Sequence, residues 1–105
     1  MTSQDFDLVV IGGGPSGYAA AFAAVAADLK VALIERDRVG GTCLHRGCIP
    51  AKELLETAAV HRTVVQAGEY GIDAQEPVID FCVAEDRKRA VVVRLFAGIA
   101  RLVGC

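Results

Sequence analysis

A chain of 105 residues has room for one small domain, or for a piece of a larger one, with only a modest core. Its 53% hydrophobic and 23% charged residues exclude a disordered polymer, and a formal net charge of -2 excludes the basic footprint of a nucleic-acid or anionic-membrane binder. Four cysteines would suit a secreted disulfide framework, but the acidic start MTSQDFD lacks the cationic segment of a signal peptide. The expected compartment is therefore a reducing cytoplasm, where a close thiol pair is more often catalytic or metal-binding than structural.

In chain order, Phe6 to Ile11 (FDLVVI) is a short β-branched run ending in glycines and reads as a buried strand. Pro15 to Ala27 is alanine-rich and reads as a helix able to approach a sheet closely. Leu8 to Ala27 carries no charge for twenty residues, which is bilayer length, but GGGPSG interrupts it and a membrane span would leave that loop's backbone unsatisfied. Lys30 to Glu35 (KVALIE) reads as a second strand.

Glycines at 40, 41 and 47 predict a loop over Arg36 to Ile49, and Pro50 suits the first position of a helix. In that helix Ala51, Leu54, Leu55, Ala58 and Ala59 fall on one stripe and predict a buried face. Ala67 to Pro77 is loop-like. From about Asp80 a long helix follows, with Val92, Leu95, Phe96, Ile99, Leu102 and Val103 on one face and Gly104 as its stop. Two strands and three helices predict an incomplete α/β sheet domain, with no repeat or internal boundary.

Gly12 to Gly17 (GGGPSG) matches G-x-G-x-x-G, a weak string alone. Here it follows a predicted strand, opens a predicted helix, and is followed eighteen residues after Gly17 by Glu35 at the end of the next strand. Gly12 permits the tight turn, Gly14 lets the backbone approach a pyrophosphate, and Gly17 lets helix and strand pack closely. The helix N-terminus offers N–H groups and a positive dipole end, and Glu35 is placed for an adenosine ribose. The motif indicates a dinucleotide and leaves NAD and FAD both open.

Cys43 and Cys48 lie five positions apart in GGTCLHRGCIP. A bridge between them closes so short a loop that the chain-entropy argument gives it only about 2 kcal/mol. Reactivity is the better reason for the pair, because Cys48 lies just before Pro50 at the positive end of a helix, where a thiolate is favoured, and Cys43 is near enough to resolve it. Lys52, read in the first turn, opposes the helix dipole and would favour a Cys48 thiolate or an electron-rich ring, with Glu53 and Glu56 offsetting it. Other readings stay open. Zinc could use Cys43, Cys48 and His45, though the spacing is loose and no second Cys-x2-Cys pair completes the set. Two unlinked core thiols are another reading. His45 beside Arg46 is either a base or a positioning group. His61 reads as surface or packing, and Cys82 and Cys105 as bystanders.

GGGPSG, Glu35 and above all GGTCLHRGCIPAKELLETA resemble the N-terminal part of the flavin-dependent pyridine nucleotide-disulphide oxidoreductases, most closely the dihydrolipoamide dehydrogenase branch, with glutathione and mercuric reductases sharing the core pattern. The resemblance implies a partial doubly wound, Rossmann-like FAD-binding domain, with residues 1–105 as its N-terminal part and the NAD-binding and interface domains outside the chain. It implies that Gly12, Gly14 and Gly17 bind the FAD pyrophosphate, Glu35 the ribose, and Gly41 with Thr42 the middle of the cofactor. Cys48 would face the flavin, Cys43 would exchange with a small-molecule or lipoyl dithiol, and Lys52 would partner the isoalloxazine ring. NAD would be the electron acceptor of the parent enzyme, a homodimer whose histidine base comes from a further domain, since this chain has only His45 and His61. His45-Arg46 stands where many members have Asn-Val, and Ala51 where they have Ser or Thr. The alternative is a non-catalytic dinucleotide-binding or interaction module with incidental cysteines.

Overall fold

The computed structural model describes residues 3–104. Strand β1 (Leu8–Ile11) and strand β2 (Val31–Ile34) pair in parallel, with Leu8 opposite Val31 and Ile11 opposite Ile34. Helix α1 (Pro15–Ala26) connects them, making a βαβ unit. Both strands are shorter than the apolar runs suggest. At one end Lys30 has left the strand, donating its amide to the Asp7 carboxylate at 2.8 Å while its carbonyl accepts the Asp7 amide. At the other end Glu35 folds back instead of continuing the ladder.

The expected burial of β1 is not found: Val10 is half-buried, whereas Leu8, Val9 and Ile11 are exposed, Ile11 by 84%. A two-stranded sheet with one covering helix shields only part of a β-branched run that suits a sheet packed on both faces. Among the described residues the buried apolar set is Ala21, Val39, Leu44, Ala67 and Ala84, mostly small side chains.

The predicted loop over Arg36 to Ile49 contains a short helix, α2 (Gly41–His45), entered through Gly40 at φ 106°. Helix α3 (Cys48–Val65) then starts two residues earlier than the proline suggests, so Pro50 is its third residue rather than its first. Proline is tolerated there because the first-turn amides have no intrahelical acceptor. A 3-10 turn (Ala67–Tyr70) and Gly71 at φ 75° lead through irregular chain to helix α4 (Phe81–Val103). Asp80 caps α4 by accepting the amides of Cys82 and Val83 at 3.0 and 3.2 Å, and Gly104 ends it in the left-handed conformation, as its position predicts.

Helix α4 runs back along α3, with an Arg87–Glu53 ion pair between them. The α3 face turned toward it carries Glu53, Leu54, Thr57, His61 and Val64, all half-buried. The predicted stripe is thus wrong in orientation: Leu54 is sheltered, but Ala51, Leu55, Ala58 and Ala59 are exposed. On α4 the half-buried residues Val92, Phe96, Ile99 and Val103 keep the expected spacing, while Leu95 and Leu102 face outward. The described helices include none long and apolar enough to cross a membrane.

Candidate functional site

Two glycine-rich segments meet at the carboxyl ends of the strands. Gly12, at φ 101°, turns the chain out of β1 and donates its amide to the Ile34 carbonyl at 2.7 Å. Helix α1 follows at Pro15 with no side-chain cap; proline has no N–H, and the first-turn amides of Ser16 and Gly17 lie beyond the reach of intrahelical acceptors. A Cβ on Gly17 would overlap the Gly12 carbonyl oxygen, so glycine is needed there for the close turn. A Cβ on Gly14 would meet no protein atom within 4 Å. That contrast fits an open phosphate cradle over an uncapped helix end, as a dinucleotide pyrophosphate requires.

Glu35 anchors the first glycine segment from across the sheet. One carboxylate oxygen accepts the Gly13 amide at 2.6 Å and the other accepts the Asp37 amide at 3.0 Å. These bonds, the Asp37 amide foremost and then Gly13, hold the Glu35 carboxyl below the usual glutamate range. Each oxygen of an ionised carboxylate retains acceptor capacity, so ribose hydroxyls can still bind.

The second glycine segment docks on the first. The Gly40 amide donates to the Gly13 carbonyl at 2.7 Å, and a Cβ on Gly41 would come within 2.9 Å of the Gly14 Cα. Beside this junction lies a cavity of about 470 Å³ lined by residues that include Gly12, Glu35, Gly41, Thr42 and His45. Four of the predicted cofactor residues thus border one space, and the donor set and the glycine cradle fit an adenine dinucleotide such as FAD.

Cys43 and Cys48 are joined as a disulfide, with Cα atoms 4.6 Å apart. Cys43 is half-buried on α2, and Cys48, the first residue of α3, is exposed. Lys52 lies apart: it is exposed on the second turn of α3, one turn beyond the position its dipole argument assumed. Glu53 is committed to Arg87 rather than to offsetting Lys52. Among the described residues no group of three His, Cys, Asp or Glu side chains is arranged to hold a metal ion. Cys82 is an exposed free thiol, and Cys105 lies outside the described residues.

Sequence reasoning missed three features. Arg46 pairs with Asp37 at 3.3 Å, His45 Nε2 donates to the Val39 carbonyl at 2.9 Å, and the His45 ring meets Phe96 edge-on with centroids 5.3 Å apart. The only advance signal was the apolar pair Val39 and Leu44 within a polar, glycine-rich stretch, since both turn out to be buried anchors.

A sequence profile of the family described as pyridine nucleotide-disulphide oxidoreductase matches residues 6–104. The chain is 43% identical over 101 residues to a dihydrolipoyl dehydrogenase of Bacillus subtilis, and 46% identical over 101 residues to those of Chlamydia pneumoniae and Zymomonas mobilis. In each case the match covers 96% of this chain but only 21 to 22% of the relative's length.

Proposed function

Because the chain belongs to the pyridine nucleotide-disulphide oxidoreductase family, with a partial Rossmann-like fold, we propose that it forms the N-terminal part of the FAD-binding domain of a dihydrolipoamide dehydrogenase. The observation that carries this reading is the placement of the Cys43–Cys48 disulfide on the two helices next to the glycine cradle. Gly14 leaves room for the FAD pyrophosphate beside the turn that Gly12 and Gly17 make possible, Glu35 would hold the ribose, and Gly41 with Thr42 would flank the middle of the cofactor. Lys52, exposed on the second turn of α3, would partner the ring.

A lipoyl or small-molecule dithiol attacks at Cys43, forms its own disulfide, and leaves two electrons on the cysteine pair, with one proton on Cys43 and the other released to a base or to solvent. The thiolate then released at Cys48 lies at the positive end of α3, which favours its charge. FAD held by Gly12, Gly14, Gly17 and Glu35 would supply the two-electron chemistry that links the cysteine pair to NAD. The working assembly is a cytoplasmic homodimer whose remaining domains supply the NAD site and the histidine base.

The full reading frame that carries this chain should purify yellow, and one equivalent of dihydrolipoamide should expose two thiols that map to Cys43 and Cys48. Colourless protein with the two thiols alkylated independently would instead favour a non-catalytic module.

A further inference from the structure

We propose that His45 is a positioning residue for the disulfide, setting how readily the Cys43–Cys48 bond is reduced; this deepens the functional reading above and rests on it. Helix α2 has five residues, too few to hold itself together, so the placement of Cys43 depends on what anchors the turn around it. Leu44 supplies a buried apolar anchor, exposed by only 4%. The Arg46–Asp37 pair is solvent-exposed and correspondingly weak. His45 is the half-buried polar anchor, and it ties three segments at one point. Its Nε2–H reaches the carbonyl of buried Val39, in the connection from β2. Its ring packs edge-on against Phe96, 51 residues later on α4, at an interplanar angle of 65°. Its backbone stands two residues after Cys43 and three before Cys48.

The balance between disulfide and dithiol follows the effective concentration of one thiol at the other, which rises when the backbone fixes their separation. Val39 and Phe96 together hold the α2 turn in the register that keeps the two Cα atoms 4.6 Å apart. Freed from both, α2 samples other placements and the bond becomes easier to reduce. His45 also borders the cavity beside the glycine junction, so the same side chain links that space to the disulfide.

The test uses the full reading frame in its flavin-loaded form, equilibrated in buffers of reduced and oxidised dithiothreitol. The reductant gives two electrons and two protons to the Cys43–Cys48 bond and becomes its own cyclic disulfide. Acid quenching, alkylation and mass mapping then read the oxidised fraction. His45→Ala should shift the disulfide–dithiol equilibrium about tenfold toward dithiol, about 30 mV for this two-electron couple. His45→Gln, whose amide donor can still reach Val39, should stay within about threefold of the unmodified protein, and Phe96→Leu should shift it severalfold by removing the ring contact. Should His45→Ala lose its flavin or its fold, the other two variants decide. An unchanged equilibrium in Phe96→Leu, or a His45→Gln shift as large as tenfold, overturns the proposal. Failure of the underlying functional reading looks different: Cys43 and Cys48 would then remain two separate thiols in the unmodified protein at every buffer ratio.

Discussion

The Glu35 carboxylate and the Gly13 amide, 22 residues apart in sequence, meet at 2.6 Å. The acidic residue that follows β2 therefore shapes the glycine turn, besides the ribose role proposed for it. Glu35→Ala removes the acceptor for two backbone amides and should weaken flavin retention about tenfold in the full reading frame, without abolishing folding. Flavin remaining after exhaustive dialysis measures this, and undiminished retention would remove Glu35 from the site.

The same contacts predict a pH dependence. Because the Asp37 and Gly13 amides hold the folded-state Glu35 carboxyl below its ordinary value, folding favours the ionised form. The contribution is fully present above the ordinary glutamate value of about 4.3, and is lost as pH falls through that value toward the lower folded one. Melting temperature recorded against pH should thus fall more steeply on the acid side for the unmodified protein than for Glu35→Gln, which has no such proton to take up. Parallel acid limbs would show that Glu35 does not contribute.

The glycines should separate by readout. At Gly14 an added Cβ meets no protein atom within 4 Å, so Gly14→Val should abolish flavin binding while leaving the melt of the flavin-free protein nearly unchanged. At Gly17 a Cβ runs into the Gly12 carbonyl, so even Gly17→Ala should lose stability, by about 1 to 3 kcal/mol on the scale of overpacking. Equal melts for the two variants would contradict this division.

The two cysteines should also differ. After reduction of the flavin-free chain, Cys48 should be alkylated before Cys43 at mildly acidic pH, since it is exposed at the start of α3 and Cys43 is half-buried. Timed alkylation with mass mapping gives the order, and faster reaction at Cys43 reverses the assigned roles.

The pattern of elements and the glycine motif were legible because each rests on local chemistry: β-branched runs, an alanine-rich helix, and glycines at a left-handed turn (Gly12) and at a close backbone approach (Gly17). The long helix was bounded correctly by Asp80 and Gly104 for the same reason. Burial was less legible. Ile11 and Val9 look like core residues and are exposed, because burial depends on what lies across the sheet rather than on the residue itself. The face of α3 was misjudged because Leu54 and Leu55 differ by only one step on the helix, and the choice between them is made by α4. Helix α2 went unseen since five residues between glycines carry no period, and the His45–Phe96 contact could not be read from positions so far apart.

The chain made alone should bind little flavin, show no NAD-linked turnover, and melt over a broad range. Val9, Ile11 and Ile34 on the sheet, and Leu55 and Val65 on α3, present apolar surface to water. Such surface should take up a hydrophobic dye such as ANS well below the melt. A sharp melt without dye uptake, accompanied by stoichiometric FAD, would show that this chain is self-sufficient.

The pairing of α3 with α4 stretches the molecule to 69 by 26 by 17 Å, with a radius of gyration of 20.1 Å. A sphere-like domain of this length would have a radius near 13 Å and an unfolded chain one of roughly 33 Å. The folded rod therefore falls between the two, where a swollen, partly melted chain would also fall. In gel filtration it would elute ahead of a spherical 11.0 kDa standard without any association. Small-angle scattering distinguishes these cases through the distribution of interatomic distances: a slender rod gives an early peak near its thickness and a long, thin tail toward 69 Å.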